Sequence, residues 1–174
     1  MRSNAPGVIS RHLLTLILAG ATAGAATSAA GSEPNPPEWP EKTVLVFGPD
    51  SPAAEIQDKV DEAFLQTGGS QGEFSSSRYA LFFKPGYYEA SVPVGYYTSV
   101  YGLGASPDDV VFNGSMGVYC EAAGDAGMAL DTFWRSAENF RNEAQGAPSG
   151  VGPGMLWAVS QAAPLRRVHT TVGI

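Results

Sequence analysis

Between Phe82 and Gly114 the chain reads FFKPGYYEASVPVGYYTSVYGLGASPDDVVFNG. It holds three short runs of β-branched and aromatic residues, each closed by glycine or proline, with no helical period. The interruption recurs downstream. Candidate strands centre near Phe82, Val100, Val111, Phe133 to Phe140, Trp157 and Val168. Val100 and Val111 are eleven residues apart, as are Trp157 and Val168, and each pair is joined by a proline-containing turn, ASPDD or AAPLR. Val111 to Phe140 is 29 residues and Phe140 to Val168 is 28. A near-constant spacing built from short strands is the mark of a solenoid. Glycine and proline together make 34 of the 174 residues (21 + 13) without a collagen period, as an all-β chain with many turns requires.

One segment breaks this pattern. DSPAAEIQDKVDEAFLQ is predicted to be a helix, with Ser51 as N-cap and Pro52 at the first helical position. Ala53, Ile56, Val60, Ala63 and Phe64 fall on one face, and Asp58, Lys59, Asp61 and Glu62 lie largely on the other. TGGSQGEFSSS reads as a flexible loop. Gly86, Gly102, Gly104 and Gly114 are expected at corners that need a positive φ.

These phrases together carry a resemblance. LFFKPGYYEASVPVGYYTSVYGLGASPDDVVFNG, preceded by AEIQDKVDEAF, resembles the opening coil of right-handed parallel β-helix proteins of the pectin-lyase-like superfamily. DTFWRSAENF and LWAVSQAAPLRRV resemble the next rungs of one extracellular subgroup. The likeness runs from about Val44 to Val172. It implies an all-β right-handed parallel β-helix whose amphipathic helix plugs the N-terminal end. The last residues, VHTTVGI, are strand-like with no polar cap after them, so the expectation is the first rungs of a longer solenoid. The domains expected are a signal peptide at 1–30, a Pro-rich lead-in at 31–43, and the cap and first rungs at 44–174.

The resemblance implies action on extracellular polysaccharide, as a glycoside hydrolase or a polysaccharide lyase. The alternative is a non-catalytic β-helix for carbohydrate binding or adhesion. Hydrolysis needs two carboxyl groups about 5–9.5 Å apart. The rung region offers Glu89, Asp108, Asp109, Glu121, Asp125, Asp131, Glu138 and Glu143, but no register pairs any two of them. Asp108 and Asp109 follow Ser106-Pro107 and read as turn formers. No catalytic residue is assigned. Trp134, Arg135, Trp157 and Arg167 are the candidate substrate-binding residues: indoles stack on the apolar faces of sugars, Arg135 can stack on Trp134, and a lyase of this kind would want a base, usually Arg or Lys. Adjacent tyrosines, as in Tyr87-Tyr88 and Tyr96-Tyr97, must face opposite sides if they lie in strands.

No cofactor is expected, apart from calcium if the protein is a lyase. His169 is the one histidine beyond the leader, which rules out a histidine-cluster metal site and leaves a Ser-His-Asp triad hanging on that residue alone. No GxxxxGK loop occurs. The leader reading rests on Arg2 and Arg11, the apolar run after His12 and the small residues of TSAAG. The strongly apolar core is too short to span a bilayer, so no membrane association is expected after cleavage. Cleavage would take the formal charge from −7 to −9 (8 − 17), which disfavours nucleic acid. A secreted location follows, with polysaccharide as partner and the oligomeric state open. Cys120, the single cysteine, has no internal disulfide partner; the preferred reading is a small buried side chain, against a nucleophile, an intermolecular bridge or a partner outside this chain.

Overall fold

The computed structural model describes residues 42–120, 132–146, 154–158 and 160–171. The leader, nearly all of the lead-in, and Glu121, Asp125 and Asp131 lie outside the described residues.

The chain alternates short strands and tight corners. Strand β1 (Val44–Phe47) leads to helix α1 (Ala53–Thr67) and the single turn α2 (Gly69–Gly72). Then come β2 (Tyr79–Phe83), β3 (Gly86–Tyr88), β4 (Val92–Pro93), β5 (Thr98–Gly102), a 3-10 turn (Pro107–Asp109), β6 (Val110–Phe112) and β7 (Val118–Tyr119). The last are β8 (Thr132–Phe133), β9 (Ser136–Asn142), β10 (Ser160–Gln161) and β11 (Leu165–Thr170). Every strand pairing among the described residues is parallel. The architecture is an all-β parallel β-helix. Parallel crossovers of this kind are right-handed almost without exception.

Register follows the inward columns. Leu45, Leu81, Val100, Ala137 and Leu165 stand above one another, one per rung. Leu81, Val100 and Ala137 are at most 1% exposed. A second column is aromatic: Phe83 meets Phe112 edge-on at 4.7 Å between centroids, and Phe112 meets Phe140 at 5.4 Å. Stacked like side chains and continuous hydrogen-bond ladders are what a parallel coil gains over isolated strands.

The expected Val168–Phe140 stacking is present, but Val111 pairs with Arg141, one residue beyond Phe140. All three residues of β6 are buried, so no in-out alternation existed there to fix the register. The stretch from Phe133 to Phe140 is two strands, broken at Trp134, and Trp157 makes only an isolated bridge with Cys120. Of the tyrosine pairs, Tyr87-Tyr88 splits as expected, at 66% and 1% exposed, whereas Tyr96-Tyr97 lies in a turn, with Tyr96 buried and Tyr97 partly buried.

Helix α1 caps the coil through Ile56, Val60, Ala63 and Thr67, all buried. Gln57 reads the open edge as a strand would: its Nε2 donates to Ser91 O at 2.9 Å, and its Oε1 accepts from Ser91 N at 3.0 Å. Tyr96 N donates to Thr67 O at 2.7 Å. The exposed edge of the first coil is thereby satisfied by the cap. Ser51 is not the N-cap: it lies one residue earlier than the cap position, taken by Pro52, and its Oγ accepts from Gly48 N at 3.4 Å. Ala53 is exposed, and the expected loop after α1 opens with α2.

The corners hold a further difference. Of the four glycines expected at positive φ, only Gly86 has it, at 152°. Gly102 serves close approach instead, since a Cβ there would run into the backbone carbonyl of Asn139. The left-handed corners are occupied by Tyr97, Trp134, Asn139, Ala162 and Arg167, with φ between 49° and 60°. They form columns: Trp134 to Ala162 and Asn139 to Arg167 are each 28 residues, and each corner pair is five apart within its rung. Left-handed non-glycine backbone is costly and persists only where the surroundings impose it.

Two outcomes test this packing. Phe112→Ala should lower stability by about 3–5 kcal/mol in urea unfolding, whereas Val46→Lys, at a half-exposed outward position, should change it by less than about 0.5 kcal/mol. Tyr88 supplies the second. Its hydroxyl donates to Lys84 O at 2.6 Å, and its pKa is pushed up to about 12 by burial first and then by the charge of Asp50. Ionisation is harder in the folded chain than in the unfolded one. That stability is therefore complete below the ordinary tyrosine value of about 10 and lost as pH rises towards 12. Tyr88→Phe should flatten this alkaline loss in thermal melts between pH 9 and 12.

Candidate functional site

The four candidate binding residues occupy two neighbouring rungs, and the structure places them differently. Trp134 sits at a left-handed corner, 52% exposed, with its indole stacked on Tyr97 at 5.4 Å and 10°. Tyr97 is covered on its other side by the Arg78 guanidinium, 3.5 Å from the ring centroid. Phe133 leans against Trp134 at 38°. A short exterior ladder results, running Arg78, Tyr97, Trp134 along the solenoid axis.

Arg135 points the other way and is 3% exposed. Its Nη1 donates to Val94 O at 2.6 Å, and its cation lies 5.1 Å from the ring of Tyr96, not over Trp134. Burial lowers its pKa, while the neighbouring Cys120 and Tyr96 oppose that shift. Arg135 is thus a tether across the core. Cys120 is buried, as its small size suggested, and its thiol donates to Ala158 O at 3.7 Å.

Trp157 and Arg167 line an open cavity of about 350 Å³ with Met155, Leu165, Val168 and Thr170. The Trp157 indole N–H donates to Ala163 O at 3.0 Å and the ring packs against the core. Arg167 is exposed and donates to Ala105 O at 2.8 Å. The structure therefore brings Trp157 and Arg167 together on one rung. Trp134 lies on the exterior of the rung before, and Arg135 inside it.

The acids are largely engaged. Asp109 closes a capping box with Ser106, accepting from its N–H at 2.8 Å. Asp108 does more than form the turn. Its Oδ1 lies 2.9 Å from His169 Nδ1 and 3.7 Å from Arg141 Nη1, while Arg141 Nε is 3.1 Å from Glu143 in an ion pair too bent to be a hydrogen bond. Glu138 pairs with Arg166 at 2.6 Å. Glu89 is exposed. The Asp108–His169 contact has no sequence signature, since 61 residues separate the two and only the coil joins them. Among the described residues, no group of three or more His, Cys, Asp or Glu comes together as a metal cluster. Asn139 and Asn142 were also missed. Asn139 Nδ2 donates to Gly102 O and Gly104 O at 2.8 and 2.7 Å, and Asn142 Oδ1 accepts from Val118 N at 2.8 Å. Asn139 stands beside Phe140, and a short polar residue next to an aromatic signals such a corner once the rungs are aligned.

No family model matches the chain. Over 132 residues it is 47% identical to an exo-beta-1,3-glucanase of Streptomyces sp. (strain SirexAA-E / ActE), covering 75% of this chain and 20% of that protein. The solved structure of sacteLam55A from Streptomyces sp. SirexAA-E aligns with a TM-score of 0.59 and 43% identity, over 75% of this chain and 22% of that one. A variant of sacteLam55A in complex with glucose aligns at 0.62 and 44%, with the same coverage. The chain thus spans about a fifth of the relatives it matches. These likenesses overturn the pectin-lyase-like reading, because the relatives found carry a glucanase name. The phrases that suggested it describe the coil, and coil geometry recurs across unrelated activities.

Arg135→Ala should cost about 3 kcal/mol in chemical unfolding, because it leaves a cavity and strips Val94 O of its donor. Arg167→Ala, at an exposed position, should cost less than about 1 kcal/mol.

Proposed function

We propose that the chain is part of an exported glycoside hydrolase acting on β-1,3-linked glucan, with hydrolysis rather than lyase chemistry as its reaction. The observation that carries this reading is the 47% identity to an exo-beta-1,3-glucanase over 132 residues, 75% of this chain. Two features of the chain fit it. The formal charge of −7 favours a neutral glucan over a polyuronate. The exterior also presents a half-exposed indole, whose apolar face suits a pyranose ring. Among the four candidates, Trp134 and Arg167 are the ones exposed to a polysaccharide, while Arg135 and Trp157 hold the rungs beneath them.

The reaction needs one carboxylic acid to protonate the leaving oxygen and one carboxylate to attack or to activate water. Asp108, Glu138 and Glu143 are tied to cations and Asp109 to a turn, so the described rungs leave Glu89 without a second acid to work with. The reacting pair is accordingly assigned elsewhere in the protein, and these rungs to scaffold and sugar contact. That ion pairing also favours a second reading, a β-helix that binds glucan without cleaving it. Export rests on the leader-like pattern of 1–30.

The test is a polysaccharide panel offered to the protein expressed with its reading frame intact. Glucose release from β-1,3-glucan, with pectate untouched, is the expected result, and the 174 residues alone should give no turnover. Binding without release selects the second reading. Unsaturated products from pectate, or rapid hydrolysis by the 174 residues alone, would contradict the assignment.

A further inference from the structure

The exterior ladder stops short at one position. Tyr97 and Trp134 fall in the same corner column, joined by a hydrogen bond from Tyr97 N to Trp134 O at 2.7 Å. The next member of that column is Ala162. It lies one residue past the Gln161–Phe133 pair and shares the left-handed corner, at φ 49° against 52° for Trp134. Two rungs therefore place a large ring at this corner and the third places a methyl group. One face of the indole is taken by Tyr97. The next residue of the column, Ala162, is small and exposed, and Trp134 is 52% exposed.

We infer that the position above Ala162 is a sugar-binding subsite in which a pyranose ring of a neutral glucan takes the place of the missing third ring. An indole face is electron-rich, and the axial C–H groups of a β-glucopyranose form an apolar, slightly positive face of similar area. Strands in a ladder lie roughly 4.8 Å apart, the thickness a stacked ring needs. Polar side chains near this corner in the sequence and register could meet the ring's hydroxyls. Ser136 follows Trp134 by two residues on the same outer face, with its Oγ already donating to Ser99 Oγ at 2.8 Å and free to accept. The Arg166–Glu138 pair lies one step further along. That pair is internally neutral, which suits an uncharged ligand. The subsite extends the glucan reading proposed above and rests on it.

The experiment fills the vacancy. Ala162→Trp supplies the ring that the two preceding rungs carry at the same backbone conformation, so the coil should retain its far-UV spectrum and melt at the same or a higher temperature. Binding of β-1,3-linked glucose oligomers to the full chain is followed by tryptophan emission and by affinity electrophoresis, beside Trp134→Ala and a Tyr87→Ala control on another face. The expected result is at least a tenfold loss of affinity in Ala162→Trp and in Trp134→Ala, with Tyr87→Ala unchanged. Unaltered affinity in either corner variant overturns the subsite. If the unmodified protein still releases glucose from β-1,3-glucan in that case, the subsite alone has failed. If the unmodified protein neither binds nor cleaves β-1,3-glucan, both proposals fall.

Discussion

In-register parallel pairing between successive turns of the chain is the constraint on which the rest of this structure depends. Each rung hands its backbone N–H and C=O groups to the rung on either side, and the column from Leu45 to Leu165 keeps that register by burying Leu81, Val100 and Ala137 on successive turns, with the partly exposed Leu45 and the exposed Leu165 at its two ends. A one-residue slip would turn this column outwards and bring Ala80, Ser99 and Ser136 into the core. Helix α1 answers the same constraint at the start of the coil. Ile56 and Val60 cover the apolar end, while the Gln57 amide stands in for a neighbouring strand at Ser91.

Stacking also sets what the exterior can present. Because equivalent positions lie above one another, an outward residue acquires neighbours of its own kind or a gap. Phe82 lies on Tyr101 at 5.2 Å and Tyr97 on Trp134 at 5.4 Å, and each ladder ends where the next rung changes chemistry, to Glu138 in one column and Ala162 in the other. The same geometry carries Asp108 to His169 and Arg141 across rungs. It imposes a cost at the corners, where five non-glycine residues among those described accept a left-handed backbone. Asn139 offsets part of that cost by donating to two carbonyls of the rung before it.

Much of this was legible in the sequence, for physical reasons that differ by element. The cap helix was readable because Ile56, Val60 and Ala63 repeat at helical spacing, and its start was misplaced because Ser51 and Pro52 both suit a helix start. Strands β2 and β5 were readable from alternation, with Leu81 and Phe83 inside and Phe82 outside. Strands β3, β4, β7 and β10 are two or three residues long, too short for any period to show. The register of β6 was hidden because all three of its residues are buried. The glycines pointed to crowding, and the left-handed corners, which tertiary packing imposes, were invisible. Of the candidate residues, Trp134 and Arg135 could be picked out as a pair, but adjacent positions at a corner diverge, and only the coil decides which one meets solvent. The activity class was the least legible part, since rung phrases encode stacking and the likeness to a glucanase lies in the whole aligned stretch.

The most direct measurement of the stacking is a pair of double-cysteine variants in a Cys120→Ser background. Ser99 and Ser136 are register partners on the outer face, while Ala137 is the inward neighbour of Ser136. A short bifunctional thiol reagent should join Ser99→Cys to Ser136→Cys rapidly under native conditions and leave Ser99→Cys with Ala137→Cys unjoined. Linkage of the second pair in preference to the first, or of neither, would contradict the register on which this account stands.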